Sequence, residues 1–115
     1  MTAGAQLGVW PNNPPQNRQL IAIIRSLARD ADILLLDHAE ERMQERDIDM
    51  IDVRRVLASG DIIGPIEPGI SDQEWKCKVV ASPRYPESSR EIGVVTIVVR
   101  TSRLIIKTVE WEDET

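Results

Sequence analysis

His38-Ala39-Glu40-Glu41-Arg42-Met43-Gln44-Glu45-Arg46 reads as one short helix, and the rest of the chain can be laid out from it. Asp37, just ahead, offers an N-cap, and Glu40 three residues later completes an acidic variant of the capping box. The helix is expected to end near Arg46-Asp47. His38, Arg42 and Arg46 are four residues apart and therefore share one helical face. One imidazole and two guanidinium groups held side by side are costly without an anion to answer them. The same grouping can both move a proton and hold a phosphate.

Downstream, Asp49 is a second N-cap, with Ile48 and Val53 at the two positions of a hydrophobic staple. That helix runs through Val53, Val56 and Leu57 and stops at Gly60, where a left-handed closing residue is expected. Upstream, Ile33-Leu34-Leu35-Leu36 is short and wholly apolar, and reads either as a brief buried strand or as the approach to the next helix. Leu20, Ile23, Ile24, Leu27 and Ala28 recur at helical spacing, predicting an amphipathic helix over 16–30. Pro11, Pro14 and Pro15 with Asn12 and Asn13 make residues 1–15 an irregular lead-in.

After Gly60 the period changes. Ile62–Glu67, Glu74–Ser82, Glu91–Arg100 and Leu104–Glu110 read as four strands rich in Val and Ile. Pro68-Gly69, Pro83–Arg90 and Thr101-Ser102-Arg103 suit hairpin connections between them. Val94–Val99 is apolar on both faces, as a central strand would be. Helices followed by an antiparallel meander give an α+β class: N-terminal helices packed on a four-stranded antiparallel sheet, forming one domain over 16–110. Residues 111–115 are expected to be a frayed acidic tail.

The 115 residues suffice for one modest core, and 42% apolar with 29% charged residues is an ordinary globular balance. Phe is absent, so Ile, Leu and Val must build the interior. Cys77 is the only cysteine and can form no internal disulfide, which suits a reducing compartment. No apolar run approaches membrane-spanning length and no secretory leader pattern opens the chain, so a cytoplasmic protein without membrane association is expected. The net charge of −5 speaks against simple nucleic-acid binding. Its distribution is uneven. Residues 75–109 hold seven Lys/Arg against two Asp/Glu, while residues 1–74 hold seven against thirteen. A local basic face is compatible with that pattern, and so is an ordinary mixture of solvated charges.

Chemistry centres on the helical stripe. His38 would be the first helical residue, where exposed N–H groups and Arg42 disfavour a second positive charge, and a neutral imidazole is what a general base needs. Glu45 is the one acid within helical reach of Arg42, and Arg46 looks only to Asp49 beyond the helix end, so local acids neutralise the stripe poorly. Either an outside anion completes it or carboxylates elsewhere, such as Glu67 or Glu74, brace the arginines. Lys76 and Lys78 share one strand face, Arg84-Tyr85 lies in a Pro-flanked loop where a ring could stack on a base, and Thr108 offers a hydroxyl on the last strand. Cys77 is most simply a core residue. One His and one Cys without clustered partners predict no metal site, and no phosphate-cradling glycine loop or dinucleotide fingerprint is present, so no cofactor is expected.

The pattern His38-Ala39-x-x-Arg42-Met43-x-x-Arg46-x-Ile48, followed by Asp52-Val53-x-x-Val56-Leu57-x-x-Gly60, resembles a small bacterial domain-of-unknown-function family with the signature HAxxRMxxRGI. That family in turn resembles the RelE- and MqsR-like toxins. The resemblance covers about residues 33–110 and departs at Asp47, where the signature has glycine. It implies a helical pair on an antiparallel sheet, metal-independent RNA cleavage, and neutralisation by a cognate antitoxin, in some members a zinc-binding one of the MqsA type. Carried onto this chain, it assigns His38, Arg42 and Arg46 to the site, with Thr108 and the strand basics as lesser candidates.

These readings lead to a toxin-like endoribonuclease that cleaves RNA through its own 2′-hydroxyl. His38 acts as base, Arg42 and Arg46 hold the phosphate, and Lys76, Lys78 and Arg84 position the backbone. A non-catalytic protein-binding module of the same fold is the alternative, favoured by overall acidity and the shortage of aromatic residues.

Overall fold

The computed structural model describes residues 14–30, 32–71, 73–100 and 103–114. Most of the expected lead-in, residues 1–13, lies outside them, as do Thr101 and Ser102 of the last expected turn. The elements in order are α1 (Asn17–Asp30), β1 (Ile33–Leu35), α2 (Asp37–Arg46), α3 (Met50–Ser59), β2 (Asp61–Pro68), β3 (Glu74–Ala81), β4 (Ile92–Val99) and β5 (Arg103–Trp111), closed by a 3₁₀ turn at Glu112–Glu114.

The class is α+β, but the sheet has five strands and is mixed, in the order β1-β5-β4-β3-β2. The meander β2–β5 is antiparallel as expected, and Ile33–Leu35 adds a parallel edge strand opposite Leu104–Ile106. Three residues of strand carry little periodicity, and their pairing partner lies about seventy residues away, which is why the two local readings of this segment stood level.

The core lies between the helices and one sheet face. Leu20, Ile24 and Ala28 of α1, Ala39 and Met43 of α2, and Val53, Val56 and Leu57 of α3 pack against Trp75, Cys77, Val79, Ile92, Val94, Val98, Leu104 and Ile106. Aliphatic side chains dominate this core, and two of the three tryptophans, Trp75 and Trp111, close it. At Lys107 the β4–β5 register slips by one residue: Thr96 faces Ile106, while Val95 faces Thr108. Because side chains alternate with period two, this bulge moves the next inward residues to Val109 and Trp111. Trp111 is consequently a core residue, 5% exposed, and not the start of a tail. The acidic end beyond it is anchored, since Glu112 accepts from Lys78, and Asp113 and Glu114 accept from Arg90.

The helix caps divide. Asp49 accepts from the Asp52 N–H and Asp52 accepts from the Asp49 N–H, a reciprocal capping box. Ile48 and Val53 are both buried at the staple positions. Asp37, by contrast, is already helical. Leu36 takes the cap position with no side-chain bond, because its own N–H is drawn to Ile106 O in the sheet. At the end of α2, Asp47 adopts φ 56° and ψ 47°, the left-handed conformation that glycine takes most readily and aspartate tolerates better than most residues. Gly60 differs from expectation: its φ is −81°, and it enters β2 directly. Glycine is required there by contact, since a Cβ would stand 2.6 Å from Val80 O and 2.7 Å from Val56 O.

Candidate functional site

The ten-residue α2 is about 15 Å long and runs beside the second half of β5. Leu36 N–H donates to Ile106 O at one end, and Trp111 Nε1 donates to Arg46 O at the other, 2.9 Å away. Ala39 and Met43 bury the face between these anchors. His38, Arg42 and Arg46 therefore rise in sequence along one flank of a helix fixed at both ends.

Within that stripe the side chains are coupled. Arg42 Nε donates to His38 Nε2 at 3.3 Å, and Arg42 Nη1 reaches Glu45 at 3.2 Å. An imidazole nitrogen offers one lone pair, so this long hydrogen bond must open before His38 Nε2 can take a proton from a substrate. Arg46 is half-buried, and its buried Nη1 has no hydrogen-bond partner among the described residues. Neither carboxylate considered as a brace is engaged with these arginines. Glu67 pairs with Lys76 at 3.8 Å, and Glu74 accepts the N–H groups of Ile70 and Ser71.

The other predicted residues separate into two groups. Lys76, Lys78 and Thr108 lie on the sheet face turned away from the helices. Lys78, Val95 and Thr108 form one cross-strand row, so Lys78 and Thr108 are about 10 Å apart, two strand spacings. Lys78 is held by Glu112 at 2.9 Å and approaches Glu110. Of the basic residues of 75–109, Lys76, Lys78, Arg84 and Arg90 thus meet native acids. Cys77 faces the core as expected, where burial pushes its thiol up to about 12.

Arg84 and Tyr85 belong to the β3–β4 connection. Tyr85 is 73% exposed. Arg84 is committed: its Nε and Nη2 donate to the two oxygens of Asp52 at 3.1 and 2.7 Å, and Nη2 also donates to Asp47 O at 2.7 Å. Asp52 is buried, and its hydrogen bond from Arg84 holds the carboxyl below the usual aspartate value. The Trp111 ring completes the cluster, with Arg84 5.2 Å and Arg90 4.0 Å from its centre. Arg84 therefore joins the β3–β4 connection to the α2–α3 corner and does not present a free guanidinium to a ligand. Asp52 and Trp111 were missed as organising residues. The spacing Asp49-x-x-Asp52 carried a signal for the first, but nothing local identified its arginine.

A cavity of about 310 Å³ lies on the opposite flank of α2. It is lined by Leu35, Met43, Ile48 and Met50, with Glu40 and Gln44 on the helix wall. These two wall residues stand about 160° from Arg42 around the helix, so the cavity and the stripe are separate features. Among the described residues no group of three or more His, Cys, Asp or Glu is placed to hold a metal ion, and no helix is long and apolar enough to cross a membrane.

Comparison with protein families places residues 35–111 in the family described as Domain of unknown function (DUF4258). The match spans more than half of the chain and includes β1's last residue, both helices of the corner and the whole meander; the chain belongs to this family. Comparison with curated proteins and with solved structures gave no significant match.

Proposed function

We propose that this chain is a metal-independent endoribonuclease of the toxin type, acting on RNA by attack of the substrate's own 2′-oxygen. The observation that carries the proposal is the buried Nη1 of Arg46, left without an acceptor one turn beyond the hydrogen-bonded His38–Arg42 pair. A buried donor without a partner costs about 1–3 kcal/mol, a cost that the half-buried Arg46 side chain sheds by turning outward to a phosphate oxygen. Once Arg42 turns from His38 to the incoming phosphate, His38 Nε2 takes the 2′-hydroxyl proton; the 2′-oxygen–phosphorus bond forms and the bond to the 5′-oxygen breaks, that oxygen taking a proton from solvent. Arg42 and Arg46 stabilise the charge that builds on phosphorus in between. Thr108 and the sheet lysines, on the far sheet face, serve at most to guide RNA beyond the scissile phosphate.

The resemblance of the His38–Gly60 signature to the RelE- and MqsR-like toxins supports the same reading. With it comes a cognate antitoxin as partner, in some members of that family a zinc-binding one of the MqsA type. The test is cleavage of RNA by the purified chain in a metal chelator, reading for 2′,3′-cyclic phosphate ends. His38→Ala and Arg42→Ala should each remove most of the activity; undiminished cleavage by both variants would overturn the assignment.

The second reading, a protein-binding module without catalysis, is favoured by the acid-walled cavity beside Met43 and Met50. A purified chain that neither cuts nor binds RNA, yet holds a specific protein neighbour, decides for it.

A further inference from the structure

We infer that the cavity between α2 and the start of α3 is a docking pocket for an arginine side chain presented by a partner protein. The site lies on the flank of α2 opposite His38, and the inference stands independently of RNA cleavage. Two features of the lining and one of its surroundings fit that occupant.

The floor is apolar and adaptable. Leu35, Met43, Ile48 and Met50 supply it, and two of the four are unbranched thioethers that adjust to a guest. Such a floor suits the three-methylene stem of arginine. The rim is acidic: Glu40, Asp47 and Asp49 all line the cavity and all are exposed residues. Asp49 spends one oxygen on the Asp52 N–H, and Asp47 feels Arg84 through its field. Glu40 makes no side-chain hydrogen bond or ion pair among the described residues. Carboxylates at the mouth of an apolar pocket match a planar guanidinium, which can be held by two oxygens at once.

The surroundings indicate a protein rather than a small cation. Ile51, which follows the lining residue Met50 on the first turn of α3, is 61% exposed, an apolar side chain left to solvent beside the pocket's last lining residue in the chain. An amphipathic partner segment with one anchoring arginine would cover Ile51 and fill the pocket together.

The experiment is an amide-resolved NMR titration of the full chain with acetyl-arginine amide, with acetyl-norleucine amide and spermidine run in parallel. The expected result is saturable shifts at Gln44, Asp47 and Met50 with the arginine probe, none with norleucine, and no movement at His38. Glu40→Gln and Asp47→Asn should each weaken binding about fivefold at unchanged melting temperature, asparagine being tolerated in the left-handed conformation at 47. Ile51→Ser should leave the arginine probe unaffected while weakening a helical peptide that carries one arginine flanked by leucines. Shifts that fail to saturate, that persist unchanged in both acid variants, or that norleucine reproduces would overturn the pocket. Tighter binding of spermidine than of the arginine probe and the peptide would overturn the protein partner.

Discussion

Two arginines flank the end of α2, and the fold treats them in opposite ways. Arg84 reaches in from the β3–β4 connection and finds three acceptors, the two oxygens of Asp52 and the carbonyl of Asp47. Arg46, on the helix itself, is half-buried and keeps a buried nitrogen with no acceptor among the described residues. Both were candidate phosphate ligands on sequence grounds. The contrast shows that a cation's availability depends on which acceptors tertiary structure brings within reach, and that neighbours along the chain are a poor guide to this. Arg84 braces the corner; Arg46, with Arg42 and His38, still has hydrogen bonds to give.

The largest effect expected from this contrast is catalytic. His38→Ala should lower the rate of RNA cleavage about 10²–10⁴-fold, as loss of a proton-transfer group does, with the melting temperature retained. Arg84→Ala should do the reverse, leaving cleavage per folded molecule intact. If the two variants exchanged behaviour, the site would have to move to the β3–β4 connection.

Stability measurements sharpen the same comparison. Arg84→Ala leaves the buried Asp52 carboxylate without its charged donor and should cost about 1.5–3 kcal/mol in urea unfolding at neutral pH. Because Asp52 titrates below its ordinary 3.8 in the folded state, its pairing stabilises the fold above that value and ceases to do so as pH falls through the lower folded value. The gap between wild type and Arg84→Ala should therefore be constant from about pH 5 to 8 and shrink below about pH 4. Trp111→Phe removes the hydrogen bond to Arg46 O while keeping most of the ring, and should cost about 0.5–1.5 kcal/mol in the same assay. The smallest effect belongs to Lys76→Ala: its pair with Glu67 is 3.8 Å long and half-exposed, so stability should change by less than about 1 kcal/mol.

What the sequence disclosed follows from how local each signal was. The α3 helix was legible because Asp49, Ile48 and Val53 lie within one turn of its start, and all three act as their spacing indicates. Asp47 was marked by the resemblance to the family signature and not by its neighbours in the chain, and it does adopt the left-handed conformation. The Asp37 cap failed because Leu36 is tied to Ile106 across the sheet, a contact no helix rule includes. Trp111 was assigned to the tail because the bulge at Lys107 reverses the inward pattern, and alternation alone does not reveal where a bulge falls. For the site, the stripe of His38, Arg42 and Arg46 could be read from four-residue spacing. The capture of Arg84 by Asp52 and of Arg90 by Asp113 and Glu114 could not, since each pair joins residues more than twenty positions apart.

The central claim is that α2 keeps guanidinium donors for a phosphate while Arg84 does not. It is tested most directly by following the arginine side-chain N–H resonances while an RNA oligonucleotide, with 2′-deoxy sugars blocking cleavage, is titrated into the full chain. Saturable shifts at Arg42 and Arg46 with Arg84 unmoved are the predicted result. Movement of Arg84 with Arg42 and Arg46 silent would contradict it.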